Sequence, residues 1–340
     1  MKRTLTAATI LITMTSGAGI PALADESGST SVGGKMYTDL TWLNQELDGA
    51  DTATSGYGLD VKRFYLTVDH AFDDIWSANL TTDFNYVSKD GETQLYVKKA
   101  YVQAAFDKAA TLRAGSADMP WIPFVEDAYG YRYLEKTITD RLGFANSADW
   151  GVHLFGQPRD SLNYQVSLVN GGGYKHPSRS NSMDVAARIG FEPIDGLTIA
   201  IGGYNGHRGQ DFSDAPAIHT ATRYDALIAY VQPGFRFGAE YFRADNWDNV
   251  TTLTTDSADG YSIFASAAVA RNLNVFARYD HASSSNDLNP SMDDKYYNLG
   301  VSFNARDNIE IAFAYKHENK SDGQHSLETD EIGIWAEVKF

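Results

Sequence analysis

Histidines and carboxylates are the residues of this 340-residue chain that could perform acid–base or metal chemistry. His153 follows Asp149 by four positions in an alternating, strand-like segment, and that spacing puts the two side chains roughly 13 Å apart. The sequence contains no zinc-ligand spacing, phosphate-binding glycine loop or nucleophile elbow. An enzyme is therefore the least favoured of the alternatives, and no catalytic residue, metal or cofactor is expected.

A different chemistry, the attraction of ions in water, is indicated by charged residues that recur at every second position. Arg63 and Asp69 occupy odd-numbered positions of one segment. The apolar residues Phe64, Leu66 and Val68 occupy its even-numbered positions. The same alternation continues to the last residue of the chain. A period of two is typical of β-strands with one polar and one apolar face.

The alternation divides the chain into sixteen predicted strands, and the connections between them alternate between tight turns and longer polar loops. An even strand count places both termini on the same side, as closure into a barrel requires. The predicted strands lie near 31–46, 58–71, 75–88, 94–106, 109–117, 147–156, 161–170, 182–191, 196–206, 218–231, 234–245, 258–270, 272–282, 293–304, 308–318 and 328–340.

The first 24 residues predict a secretory signal peptide, because a charged start (Met1, Lys2, Arg3) precedes a short apolar run and the sequence Ala22-Leu23-Ala24. Thr, Ser and Gly residues dilute that run below the roughly 20 apolar residues of a membrane anchor. We expect cleavage after Ala24 and a single mature domain at 25–340. The absence of cysteine is compatible with export but does not demand it.

These features predict an all-β fold, a transmembrane antiparallel β-barrel of about sixteen strands in the outer membrane of a Gram-negative cell. In such a barrel the apolar face meets lipid and the polar face lines a water-filled channel. The alternative is a secreted soluble β-protein. A chain of this length would then be expected to split into domains, yet it shows no linker or break in composition.

The chain carries 28 basic and 44 acidic residues, a formal net charge of −16. Loss of Lys2 and Arg3 with the signal peptide leaves 26 basic and 44 acidic residues, a net charge of −18. A nucleic-acid partner is excluded, because neutralising phosphates requires a basic face. The expected surroundings are outer-membrane lipid and lipopolysaccharide, and the expected solutes are small hydrophilic molecules and ions.

One connection, at about 118–146, is much longer than the others and rich in aromatic and charged residues. Loops of this length are uncommon unless they are functional. We expect this third outer loop to fold into the lumen and to constrict the pore, with acidic loop residues facing a basic wall across a transverse field. The alternative is that the wall charges only pair with one another. The predicted pore-lining and constriction residues are Arg63, Asp83, Lys99, Arg113, Trp121, Glu126, Asp127, Arg132, Glu135 and Lys136.

The chain resembles the trimeric bacterial porins and, among them, the phosphate-selective porin O/P family. The resemblance lies in the stretches 112–115, 119–124, 133–136, 149–156, 164–171 and 197–204, for example Met119-Pro120-Trp121-Ile122-Pro123-Phe124. It implies a homotrimer of sixteen-stranded barrels whose third loop enters the pore. Phosphate selectivity in that family rests on arginines and lysines along the pore.

The charges of this chain depart from that family pattern. After Asp118, its third loop holds four acidic residues against three basic ones, and the predicted lumen mixes both signs. We therefore expect a channel for passive diffusion of small hydrophilic solutes and ions. The alternative is a substrate-selective channel for phosphate, organic anions or sugars.

Overall fold

The computed structural model of the protein describes residues 28–87 and 92–340. The predicted signal peptide at 1–24 lies outside the described residues, so its cleavage stays a prediction. Among the described residues, none of the helices has the length and apolar character needed to cross a membrane.

Sixteen long β-strands account for nearly all the regular structure in the described ranges, and they coincide with the sixteen predicted strands. A further two-residue strand, Ala50–Asp51, extends the first hairpin. The strands are β1 Ser29–Leu47, β2 Gly56–Ala71, β3 Trp76–Val87, β4 Glu92–Asp107, β5 Ala110–Asp118, β6 Ala148–Arg159, β7 Leu162–Val169, β8 Asp184–Ile194, β9 Leu197–Gly206, β10 Ala221–Gln232, β11 Phe235–Asp245, β12 Ser257–Ala270, β13 Leu273–Ser285, β14 Met292–Arg306, β15 Ile309–Ser321 and β16 Ser326–Lys339.

The strands close into a barrel, since each is antiparallel to its neighbours in sequence and the first pairs with the last. The closing register runs from Lys35 opposite Lys339 to Leu47 opposite Leu327. Closure satisfies the backbone donors and acceptors that an open sheet would leave at its edges. The predicted all-β, sixteen-stranded antiparallel barrel is confirmed.

The tight connections all lie at one end of the barrel, and their residue types fit the backbone they must adopt. Asn272 has φ 63° and Gly196 has φ 79° in two-residue turns between antiparallel strands. Such turns favour Asn and Gly because these residues tolerate positive φ. The predicted tight turns therefore set the register of neighbouring strands, and the longer connections gather at the opposite end.

The two faces of the barrel wall differ as the alternation predicts. Ile228, Phe237 and Ile263 are exposed on the outward face. Glu240 and Arg278, on the inward parity of β11 and β13, are almost completely buried. Charges can lie on the inward face because other polar groups and water satisfy them there.

The third outer connection, 119–147, holds two helices, α1 Ile122–Tyr129 and α2 Ile138–Arg141. Pro123 lies in the first turn of α1, where a missing N–H is harmless. Gly130 ends the helix with φ 82°, and its N–H donates to the Glu126 carbonyl.

Part of the barrel interior is a packed apolar core, formed where the third loop folds against the wall. The third loop contributes Trp121, Val125, Tyr129, Tyr131 and Leu134 to this core. They pack against inward-facing side chains of the far wall, namely Ala200, Leu227, Ala229, Phe264, Phe276, Ala312, Ala314 and Trp335. The interior therefore holds a packed core on one side and leaves the open passage on the other.

Candidate pore and its constriction

The third loop is attached to the inward face of the barrel by buried polar contacts as well as by apolar packing. The Trp121 Nε1–H donates to Glu240 Oε1 at 2.8 Å, and both residues are at most 2% exposed. The Thr139 hydroxyl contacts the same carboxylate oxygen at 3.4 Å. A buried carboxylate needs such donors, because an unpaired charge in the interior is strongly unfavourable.

Wall arginines also hold the backbone of the loop, through its carbonyl oxygens. The Arg236 Nη1 donates to the Asp127 carbonyl at 2.7 Å. The Arg278 Nη1 donates to the Lys136 carbonyl at 2.5 Å. The guanidinium is suited to this role, because its charge persists and its several donors are fixed in one plane.

The second helix is held by an ion-pair cluster that spans three consecutive strands. Arg141 contacts Asp280 on β13 at 3.2 Å and Asp294 on β14 at 2.6 Å. It also pairs with Glu318 on β15. Just before the helix, Glu135 pairs with Lys316 at 3.0 Å, and this ammonium lowers the pKa of the Glu135 carboxyl against the opposing effect of burial. The loop is thereby fixed against β9–β15.

An open passage remains on the opposite side, along β1–β5. Two cavities lie there, one of about 510 Å³ toward the tight-turn end and one of about 220 Å³ toward the long loops. Tyr65, Lys98 and Arg132 line both cavities. These three residues therefore mark the place where the two cavities adjoin, which we call the narrowing.

Ion pairs lie on both sides of the narrowing, within the wall and within the loop. Arg63 on β2 contacts Asp83 on β3 at 3.0 Å. On the loop side, Arg132 contacts Glu126 at 2.5 Å and Asp140 at 3.5 Å. The opening is therefore bordered by paired charges of both signs rather than by a basic wall facing an acidic loop.

Lys98 reaches the narrowing because of a β-bulge that strict alternation does not foresee. Thr81 pairs with Lys99 while Thr82 pairs with Val97, so Lys98 is the extra residue of its strand. A bulge re-aims one side chain, and here two consecutive lysines both face inward. The available sequence signal was the Lys98-Lys99 pair itself, since a charge on the lipid face costs about 2–4 kcal/mol near the midplane.

Strand β2, which is separated from β4 by β3, has a similar bulge. Tyr37 pairs with Arg63 and Thr38 pairs with Val61, so Lys62 is also a bulge residue. Its Nζ lies 3.1 Å from Oδ2 of the buried Asp39. Each dibasic pair of these two strands therefore sits at a β-bulge that turns both charges into the barrel.

A second outer loop, 170–183, also enters the passage, and sequence reasoning missed it. Its Tyr174 hydroxyl donates to Asp83 Oδ2 at 2.9 Å. Tyr174 and Lys175 both line the smaller cavity. The run Gly171–Gly173 gave no sign of this beyond a flexible loop, whereas Gly171 and Gly173 have φ of 91° and 76° and turn the chain inward.

Seven of the ten predicted site residues line the two cavities. Lys99, Glu126 and Asp127 line the larger one, Arg63, Asp83 and Lys136 line the smaller one, and Arg132 lines both. Lys99 is held by Asp118 at 2.5 Å.

The other three predicted residues lie away from the narrowing. Trp121 anchors the loop to the far wall, and Glu135 belongs to the ion pair with Lys316. Arg113 stacks on Tyr101 and Phe155, 4.6 and 4.5 Å from their ring centroids. The parity of Arg113 is inward as predicted, but aromatic neighbours hold its guanidinium at the wall.

The described residues include two close serine–histidine contacts, His207 with Ser182 at 2.8 Å in the outer loops and His153 with Ser167 in the barrel wall. His153 Nδ1 lies 2.9 Å from the Ser167 hydroxyl. Both residues are completely buried, and neither lines the two cavities, so a substrate carbonyl would have no route to the hydroxyl. Within 28–87 and 92–340, no group of three His, Asp or Glu residues could hold a metal.

No protein-family model matches the chain, and no curated protein matches its sequence. Solved barrels do match its fold. An anion-selective porin from Comamonas acidovorans superposes with TM-score 0.64 at 11% identity, over 92% of this chain and 100% of that one. OmpF of Salmonella typhi gives TM-score 0.63 at 14% identity, over 92% and 97%. OmpT of Vibrio cholerae, in a trimer form, gives 0.60 at 13%, over 93% and 100%. The chain therefore shares the sixteen-stranded fold of bacterial outer-membrane porins.

Proposed function

We propose that the protein is an outer-membrane porin, a channel for passive diffusion of small hydrophilic solutes and ions. The observation that carries this proposal is the pair of adjoining cavities, of about 510 and 220 Å³, inside a closed barrel with an apolar outward face. The outward face meets lipid, and the charged inner wall keeps the passage hydrated. No catalytic role is assigned to any residue.

The contacts of the third loop support a channel that stays open. Wall side chains from several strands hold both helices and the segment between them, through Glu240, Arg236, Arg278 and Asp294. A loop fixed at so many points cannot swing across the passage without breaking buried polar contacts, each expensive to leave unmade. The loop thus sets the width of the pore.

The proposal includes export through a cleaved signal peptide, residence in the outer membrane beside lipid and lipopolysaccharide, and assembly as a homotrimer. The shared porin fold, one example of which is recorded in a trimer form, supports the assembly. The alternative, a channel selective for phosphate, organic anions or sugars, is favoured by the basic residues and tyrosines of the smaller cavity.

Planar-bilayer recording tests the proposal. Purified protein is expected to insert in conductance steps, in groups of three for a trimer, with a linear current–voltage relation. Deletion of Trp121–Asp140 is expected to raise the single-channel conductance, because it removes the loop from the lumen. Arg132→Ala is a milder variant with the same expected direction. Protein that inserts, shows the heat-sensitive mobility of a folded barrel and never conducts would contradict the proposal.

A further inference from the structure

A further cavity, which we call the inner recess, lies at the tight-turn end of the barrel, on the side of the third loop that faces away from the passage. Its volume is about 420 Å³. The loop contributes Gly130 and Tyr131 to its lining, and the turn between β10 and β11 contributes Pro233 and Gly234. Within the part of the chain that the structure describes, the recess shares no lining residue with the two cavities of the passage. It is therefore a separate compartment of the lumen.

Aromatic side chains close the recess toward the long loops. Tyr131 packs on Phe276 with ring centroids 4.4 Å apart, and Tyr129 packs on Phe264 at 5.5 Å. These rings belong to the apolar core between the third loop and the wall. A solute therefore reaches the recess from the tight-turn end, which faces the periplasm in outer-membrane barrels.

The polar side chains of the recess form a row that crosses the neighbouring strands β11–β15. A basic side chain begins the row, an acidic one ends it, and neutral hydroxyl and amide groups lie between them: Arg236, Ser266, Asn274, Asn304 and Glu310. Arg236 lies opposite Ser266 in the strand register, and Asn304 lies opposite Glu310. Of the described residues that line the recess, only Arg236 and Glu310 carry a charge. The row thus has one positive end and one negative end.

The groups of the row can bind a ligand through its own charges and amides. The Arg236 Nη1 donates to the carbonyls of Asp127 and Ala128 at 2.7 and 2.9 Å. These acceptors are neutral, so they do not cancel the charge of the guanidinium, whose planar fork of donors suits a carboxylate. The amides of Asn274 and Asn304 offer both donors and acceptors, as peptide groups require.

The separation of the two charges selects the length of the ligand. Arg236 and Glu310 lie four strands apart, and neighbouring strands are about 4.8 Å apart, so their backbones are roughly 19 Å apart along the wall. Because both side chains line one cavity, the gap between their charged groups is shorter than that. An extended chain spans about 3.3–3.6 Å per residue. A peptide of about four residues therefore fits the row, whereas the two charges of a single amino acid lie too close together.

We propose that the inner recess binds short zwitterionic peptides from the tight-turn end of the barrel. The C-terminal carboxylate of the peptide pairs with Arg236, its N-terminal ammonium pairs with Glu310, and the amides between them bind its peptide groups. The site lies outside the passage, so the proposal goes beyond the channel function. Tyr131 lines the recess and the next residue, Arg132, lies at the narrowing. A bound peptide thus lies directly behind the loop segment that borders the passage.

The first test is the binding of tetraalanine to the folded barrel in detergent, measured by titration calorimetry. Two capped peptides serve as probes, because N-acetyl-tetraalanine lacks the ammonium and tetraalanine amide lacks the carboxylate. A hydrogen bond to a charged group changes affinity by about tenfold or more. Each capped peptide is therefore expected to bind at least about tenfold more weakly than tetraalanine. Absence of tetraalanine binding, or equal binding of all three peptides, would overturn the proposal.

Two variants assign the ends of the peptide. Glu310→Gln is expected to weaken tetraalanine binding about tenfold and to leave binding of the N-acetylated peptide unchanged. Arg236→Gln should weaken tetraalanine binding but not binding of the amide. A variant that only loosened the third loop would weaken all three peptides alike, and that result would contradict direct contact. Glu328→Gln, the same change at an exposed residue that accepts from Asn319 at 3.0 Å near the long loops, is the matched control and should leave every affinity unchanged.

The second test locates the peptide by protection of a single thiol, because the chain has no cysteine. Ser266→Cys places the thiol in the recess, and Thr67→Cys places it in the larger cavity of the passage. Saturating tetraalanine is expected to slow modification of the first thiol and not of the second. Protection of the Thr67→Cys thiol alone would overturn the recess as the site. Maltotriose is the rival ligand, since amides also bind sugars, and protection of the Ser266→Cys thiol by maltotriose but not by tetraalanine would overturn the choice of a peptide.

Discussion

The ion-pair cluster around Arg141 allows a quantitative test of how firmly the third loop is held. The Arg141 side chain is 6% exposed, and its partners Asp280 and Asp294 are 0% and 4% exposed. Arg141→Gln removes the cation from this buried cluster. Loss of one partner of a buried ion pair typically costs about 3–5 kcal/mol, since the remaining charge is left without compensation.

The lower end of that range applies here, because each carboxylate retains another cation. Asp280 keeps Arg278 at 2.6 Å, and Asp294 has Lys320 at 3.9 Å. We therefore expect the local anchoring of α2 to weaken by about 3 kcal/mol. At 1.36 kcal/mol per factor of ten, the fraction of molecules with α2 detached should rise about 150-fold.

Thiol labelling can measure that fraction, because the chain has no cysteine. Thr139→Cys places one thiol at a position in α2 that is 0% exposed. When opening and closing are fast, the rate of modification follows the population of the open form. The rate with a small charged thiol reagent should therefore be about 150-fold higher when Arg141→Gln is added to Thr139→Cys.

Two further variants make the test specific. Arg243→Gln removes an exposed arginine that contacts Asp245 at 3.2 Å, and a surface pair of this kind is worth at most about 1 kcal/mol. It should change labelling by no more than a few-fold. Adding Asp294→Asn to Arg141→Gln removes the carboxylate that has lost its nearest cation and should reverse most of the increase. Labelling of a folded Arg141→Gln barrel within a few-fold of its parent would refute the anchoring argument.

Two other contacts yield further predictions. Trp121→Phe keeps the ring packing but removes the donor to the buried Glu240, so the barrel should lose about 1–3 kcal/mol of stability, measured as a lower unfolding temperature in detergent. Adding Glu240→Gln should recover part of the loss, and an unchanged temperature would contradict the role of the hydrogen bond. At the outer rim, Asp48 accepts from His325 at 2.7 Å and raises its pKa, with a smaller contribution from Asp322.

The pH dependence of that rim contact has a definite sign. His325 should titrate in NMR above its ordinary pKa of 6.5, and Asp48→Asn should return it toward that value. Because the pKa of His325 is raised and that of Asp48 is lowered, the contact favours the folded loops in the pH range where both are charged. Its contribution disappears as the pH rises through the pKa of the folded histidine, or falls through that of the folded aspartate. A His325 pKa insensitive to Asp48→Asn would refute the pairing.

The predicted pore residues show where local sequence reasoning succeeds and where it stops. The alternation of polar and apolar positions predicted that Arg63 and Asp83 face inward, and in the structure they form an ion pair. Parity also turned Arg113 inward, but its position against Tyr101 and Phe155 depends on neighbours from other strands. Alternation specifies a face, whereas only packing specifies how far a side chain reaches from it.

The sequence by itself determined the barrel, because its strands are defined by a period of two and its turns by short-range chemistry. Asn272 and Gly196 suit their turns regardless of what the rest of the chain does. The tertiary structure alone decided the passage. The bulge that turns Lys98 inward is a slip in the register between paired strands, and the entry of Tyr174 depends on a hydrogen bond to Asp83, far away in sequence. Both the register slip and the hydrogen bond depend on residues that are distant in sequence, and a local sequence pattern does not specify which distant residues come into contact.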